Sequence, residues 1–226
     1  MGKGSILTEK QKAILGEFKK DDRLSSLFYF TGGTALSEFY LKHRESADLD
    51  FFSNVTFDPQ ILLETVNSWS IKYDFTAKPA FNDPVHVFFL SYKDGDSLKI
   101  DFSRYPYRQI EAPKNFEGLR VDSLYDIAAN KLLTVNQRTE VKDFVDLYYL
   151  MKEFNFWQLK DGVLAKFNME MDPFLTAVDF MKVEGFQTMP KMFRKLSLTT
   201  LKKFFKAQAK KLGAEMLNSG ECGRRS

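Results

Sequence analysis

The chain has 226 residues, 44% of them hydrophobic and 15% aromatic, which is enough for one large or two modest packed domains and too apolar for a largely disordered protein. A formal charge of +3 excludes a uniformly polybasic binder, so any affinity for nucleic acid must come from a local patch. The single cysteine, Cys222, excludes an intrachain disulfide and a cysteine-based metal cluster, and no run approaches the roughly 18 apolar residues of a membrane span, so a cytoplasmic protein without a membrane anchor is expected.

In chain order, residues 8–20 have the apolar spacing of an amphipathic helix, 28–30 read as a short strand, and 34–42 read as a helix opening just after Gly32-Gly33. Residues 48–52 alternate polar and apolar side chains, as a half-buried strand does. Asp58-Pro59 supplies an N-cap and an N1 proline for a helix to about residue 68. The runs 71–75, 85–92 and 98–102 are strand-like, the last two joined by a turn at residues 93–96. After Arg120 the strand signals stop. Helices are expected from Ser123, over 141–153, from Asp172-Pro173, and over 197–211 with Gly213 as the stop; the tail from 218 is expected to fray. The pattern predicts an α+β chain: a mixed β-sheet flanked by helices over residues 1–120, then a helical domain over 121–226.

A strand, a glycine pair and a helix start make a turn whose amides can face an anion, but glycine pairs also occur in turns that bind nothing. Asp48 and Asp50 add the decisive feature. At i and i+2 of a strand they share a face, while Leu49 and Phe51 point to the other. Adjacent carboxylates repel, and a divalent cation such as Mg²⁺ on a triphosphate would neutralise them; the plain alternative is two solvated aspartates on an edge strand. Asp101, with Lys99 and Ser103 on the polar face of the 98–102 strand, is the candidate third carboxylate, able to complete a two-metal site and act as general base. Asp94 and Asp96 are weaker rivals because they lie in a turn. Arg44 either binds phosphate or pairs with Glu45 or Asp48, His43 reads as structural, and His86 has no metal-site spacing.

The order Gly32-Gly33-Thr34-Ala35-Leu36, then residues 41–52 ending in Asp48-Leu49-Asp50-Phe51-Phe52, resembles the opening motif of the AbiEii/AbiGii toxin family of nucleotidyltransferases, within the DNA polymerase β-like superfamily. Lys131 and the stretch Arg138-Thr139-Glu140-Val141-Lys142-Asp143-Phe144-Val145-Asp146-Leu147 resemble its downstream motifs, so the likeness runs from about Phe28 to Leu150. The resemblance implies a nucleotidyltransferase fold and an Mg²⁺-dependent transfer of a nucleoside monophosphate from an NTP to a hydroxyl. The acceptor expected is RNA, at a tRNA 3′ end, and the setting is a type IV toxin whose antitoxin acts without direct contact. It also implies that Gly32, Gly33 and Thr34 meet the triphosphate, that Asp48 and Asp50 are catalytic metal ligands, with Asp101 of the strand reading as the third, and that Lys131 and Asp146 are catalytic in nucleotide handling, joined by Arg138 and Lys142 in nucleotide binding.

On one continuous helix Lys131, Arg138, Lys142 and Asp146 would share a face, but the polar segment 136–140 suggests a break between two helices. Ordinary i,i+4 pairs on a solvated face are the alternative there. Residues 186–212 carry eight lysines and arginines with no acidic residue, a patch that could receive RNA or could be a solvated helix face over core phenylalanines. Transfer to a small molecule or a protein, and a non-catalytic nucleotide-binding module, remain the competing functions.

Overall fold

The structure, a computed structural model, describes residues 4–222, and side chains over 4–215. The chain divides into two compact units, Met1–Leu124 and Tyr125–Ser226. Among the described residues no helix is long and apolar enough to cross a membrane.

The first unit is a mixed seven-stranded sheet with flanking helices. Its strands are β1 (Tyr29–Thr31), β2 (Leu49–Ser53), β3 (Phe75–Asn82), β4 (Val85–Tyr92), β5 (Ser97–Arg104), β6 (Lys114–Phe116) and β7 (Leu119–Val121), in the spatial order β3-β4-β5-β2-β1-β7-β6. β1 pairs antiparallel with β2 and parallel with β7, while β2 pairs parallel with β5. Helix α1 (Glu9–Lys20) opens with a reciprocal capping box: the Thr8 hydroxyl accepts from the Gln11 amide, and the Gln11 side chain accepts from the Thr8 amide. Helix α2 (Asp22–Leu27) is capped by Asp21 and leads directly into β1.

Strand alternation sorts the sheet's two faces. Phe51 and Phe102 are fully buried on the face covered by α1, where Phe18 stacks on Phe51 at 4.2 Å and Phe51 on Phe102 at 5.1 Å. Each fully buried phenylalanine contributes roughly 1.5–3 kcal/mol of hydrophobic stabilisation, so this stack anchors the central strands firmly. Asp50 and Asp101, one residue away, point to the opposite face.

Several expectations need correction. Helix α4 (Pro59–Tyr73) runs five residues past the predicted stop, because Leu62, Thr65, Val66 and Trp69 continue one buried helical face. It ends where Asp74 turns left-handed, so of the predicted strand over 71–75 only Phe75, the first residue of β3, is strand and residues 71–73 are helix; Ile71 stands 86% exposed. The segment predicted as one helix over 34–42 starts at Gly32, as α3 (Gly32–Ala35), and continues as a π-helical turn over Leu36–Leu41, closed by a bond from the Lys42 amide to the Ser37 carbonyl. The β6–β7 hairpin was not anticipated. Its two turn residues, Glu117 and Gly118, both have positive φ, the conformation that Asn-Gly or Asp-Gly would have signalled.

The second unit is helical: α5 (Leu124–Gln137), α6 (Val141–Leu150), α7 (Phe156–Phe167), α8 (Pro173–Phe180), a 3₁₀ turn over Met181–Gly185, and α9 (Leu198–Cys222). The break between α5 and α6 falls in the polar segment that suggested it. α7 was not anticipated, although Asn155 and Gln158 form a capping box and Phe156, Leu159 and Val163 form its buried stripe. Gly213 does not stop α9, which passes through it to Cys222; residues 218–222 of the tail expected to fray are helical, and 223–226 lie outside the described residues. α7 is joined to α5 by an ion pair between Lys166 and Asp126 at 2.7 Å, with both side chains fully buried.

Candidate active site

The glycine turn and the carboxylates meet at one end of the sheet. β1 ends at Thr31, whose register partner on β2 is Asp50, and the register partner of Asp50 on β5 is Asp101. Three strands, separated by up to 70 residues of chain, therefore bring Gly32, Asp50 and Asp101 side by side. Asp48 stands immediately before β2, two residues from Asp50, and the Thr34 hydroxyl donates to its backbone carbonyl.

Glycine is demanded at position 32 and leaves room for Arg44 at position 33. Gly32 has φ +75°, and a Cβ there would lie 2.1 Å from the Asp50 Oδ2 and 2.8 Å from its Cγ. A Cβ on Gly33 would lie 2.6 Å from Nη2 of Arg44. Arg44 is thus packed under the turn, 3% exposed, where it donates to the Glu45 carbonyl at 2.9 Å. Thr31 donates to the buried carboxylate of Asp122 at 3.0 Å, fixing the strand just before the turn. Gln11, 2% exposed, donates to the carbonyls of Ser46 and Ala47 at 2.9 and 3.0 Å and so holds the loop that delivers Asp48.

The charge at this site is partly answered from within the chain. Lys99 shares the face of Asp101 on β5, and its Nζ lies 2.5 Å from Asp101 Oδ2. Burial alone would push the Lys99 ammonium down, but the hydrogen bond to Asp101 and the charges of Asp101, Asp48 and Asp50 outweigh it and hold Lys99 above the usual lysine range. Among the described residues no three His, Cys, Asp or Glu side chains form a ready cage for a metal ion. The arrangement is instead a facing pair, Asp50 and Asp101, with Asp48 beside it. That donor set suits Mg²⁺, which is commonly held by one or two carboxylates plus substrate phosphates. The glycine at position 32 leaves room for the Asp50 carboxylate, and the Lys99 ammonium answers the charge of Asp101.

In the second unit, Lys131 lies between two buried carboxylates, with Nζ 2.8 Å from Asp143 Oδ1 and 2.7 Å from Asp146 Oδ2. Arg138 adds bonds of 2.8 and 3.2 Å to Asp143. Lys142 is half-exposed and belongs to none of these pairs. The i,i+4 pair of Lys142 with Asp146 is replaced by a bond across the break between α5 and α6.

Residues 14–218 match the family described as Nucleotidyl transferase AbiEii toxin, Type IV TA system. The chain belongs to this family. An uncharacterised protein of Aquifex aeolicus (strain VF5) is 33% identical over 139 residues, a match that spans 59% of this chain and 62% of that relative's length. The fold is shared with JHP933 from Helicobacter pylori, at 22% identity and a TM-score of 0.58 over 96% of this chain and 98% of the other. It is shared also with MenT4, a nucleotidyltransferase toxin from Mycobacterium tuberculosis H37Rv, at 16% identity and a TM-score of 0.56 over 89% and 82% of the two chains.

For this AbiEii-family chain, sequence reasoning had named Gly32, Gly33, Thr34, Asp48, Asp50 and Asp101, and the sheet register brings together Asp50, Asp101 and the end of β1 where the glycine turn starts, with Asp48 just before β2. It gave no role to Lys99, although the strand period had put that residue on the face of Asp101. Asp143 was visible only as part of a motif, and Gln11 only as a helix residue; the contacts of both depend on folding across 12 and 35 positions, respectively.

Proposed function

We propose that the protein transfers a nucleoside monophosphate from an NTP to a hydroxyl of RNA, at a tRNA 3′ end, as the toxin of a type IV pair. The register that sets Asp50 opposite Asp101, with Gly32 against the Asp50 carboxylate, is the observation that carries this reading. Mg²⁺ held by Asp50 and Asp101, with Asp48 alongside, would neutralise charge on the triphosphate. Gly32 and Gly33 leave the turn's backbone bare for phosphate oxygens, and Arg44 and Thr34 keep that turn in place from behind. The acceptor hydroxyl attacks the α-phosphorus, its proton passes to Asp101, and pyrophosphate leaves. Positioning and charge neutralisation supply the catalysis, as is general for this class of transfer. In the second unit, Asp143 and Asp146 fix the Lys131 ammonium, which the family resemblance assigns to nucleotide handling together with Arg138 and Lys142. The cognate antitoxin acts without touching the toxin.

RNA as acceptor is supported by α9. Lys203, Lys206, Lys210 and Lys211 are exposed on it, whereas Phe205 is fully buried against Phe144 and Phe180 and Phe204 packs on Tyr148. Phe205 there is core and the lysines form an exposed face, on which Lys211 reaches Glu215 at 3.8 Å. Lys206 also reaches Glu184 at 3.3 Å, so part of the patch is tempered. Reversing Lys203, Lys206 and Lys210 to Glu should weaken label transfer to total RNA at least about tenfold and flatten its salt dependence. Transfer at the wild-type rate and salt dependence would remove RNA contact from this helix.

A further inference from the structure

We propose that Lys99 is a displaceable counter-cation: in the metal-free protein its ammonium holds the Asp101 end of the carboxylate pair, and a divalent ion entering between Asp50 and Asp101 releases it. The inference rests on the metal-dependent reading of this site. Asp50 and Asp101 face each other in register, an arrangement that is adverse unless a positive charge stands beside it. Lys99 supplies that charge through Asp101 Oδ2 at 2.5 Å, an oxygen a metal ion would also claim.

The geometry of the pair is that of a contact made to be broken. The Lys99 side chain is 35% exposed while the Asp101 carboxylate is 15% exposed, so the lysine can swing into water and the carboxylate stays in the site. Pairs of similar length occur on the surface, as in Lys10–Asp94 and Lys93–Asp74, and part-buried, as in Lys182–Asp179, whereas the enclosed Lys–Asp pairs of the second unit are built differently. Lys131 with Asp143 and Asp146, and Lys166 with Asp126, have both partners enclosed, with lysine side chains 10% and 0% exposed. A half-exposed ion pair on a flexible four-carbon stem is weak in water, and a divalent ion coordinated by two carboxylates outcompetes it.

The test uses the full-length protein and Mn²⁺ or Mg²⁺ alone. Free Mn²⁺ measured by electron paramagnetic resonance should show that Lys99→Met binds the ion roughly fivefold more tightly than wild type, the factor expected when a competing exposed pair is removed. In wild-type protein labelled with ¹⁵N-lysine, the Lys99 ammonium resonance, assigned by its loss in Lys99→Arg, should move to the free-lysine position as Mg²⁺ saturates. Asp101→Asn should place it there with no metal present. Metal binding with an unmoved Lys99 resonance, or with unchanged or weaker affinity in Lys99→Met, would overturn the displacement and leave the metal site standing. Absence of Mn²⁺ binding to either protein would overturn both.

Discussion

Replacing Gly32 with alanine should leave a folded protein that transfers nucleotide at least about 100-fold more slowly. The left-handed backbone at φ +75° costs a non-glycine residue about 1–3 kcal/mol, a loss that a packed domain of this size tolerates. The added methyl group cannot coexist with the Asp50 carboxylate, whose Oδ2 would lie 2.1 Å from it. Asp50 must therefore turn away from its place opposite Asp101, and displacements near 1 Å at a reacting centre cost on the order of 100-fold in rate. Turnover by the variant, measured with labelled NTP beside its urea-unfolding midpoint, separates the two effects. Near-wild-type turnover would mean that the Asp50 carboxylate has no part in the chemistry.

The second large effect is on stability. Asp143→Ala should destabilise the helical unit by about 3 kcal/mol, because Asp143 is wholly buried and is the shared acceptor of Lys131 and Arg138. The low end of the range for breaking a buried pair applies: Lys131 keeps Asp146 at 2.7 Å, and Arg138, half-exposed, can rehydrate. A loss below about 1 kcal/mol, the worth of a surface pair, would contradict this. The same residue sets an acid dependence. Burial alone would raise the Asp143 carboxyl, but Lys131 and Arg138 outweigh it and hold it below the usual 3.8. A value lower in the folded than in the unfolded state makes its contribution complete above 3.8 and lost as pH falls from there through the folded value. Asp143→Asn should accordingly lose less stability on acidification than wild type.

Legibility followed contact distance along the chain. Gly32-Gly33 and Asp48-Asp50 lie within one short motif, so turn chemistry and strand alternation were enough to single them out, although β2 starts only at Leu49 and leaves Asp48 outside the strand. The face of Asp101 was readable in the same way, but its neighbour was not: β2 and β5 run parallel, and α4, β3 and β4 intervene, so only the folded sheet sets it opposite Asp50. Lys99 was on the correct face from the start, yet its bond to Asp101 is a matter of rotamer and local charge that the strand period does not carry. The cluster in the second unit shows the same limit, since Lys131 and Asp143 meet across a helix break. Helix ends were misjudged where tertiary packing overrode local signals. The apolar face of α4 carried it past residue 68, and α9 absorbed Gly213 at a cost of about 1 kcal/mol relative to alanine.

The claim on which everything else depends is that the Asp50–Asp101 pair supports metal-dependent nucleotidyl transfer. Its most direct test is a gel assay in which wild-type protein and Asp50→Asn are each given total RNA, Mg²⁺ and one of the four α-labelled NTPs, with chelator controls. The expected result is labelled RNA of tRNA size from wild type with at least one NTP, abolished by chelator and absent with Asp50→Asn, whose unfolding midpoint stays near that of wild type. Labelling by Asp50→Asn at the wild-type rate would contradict the assignment outright.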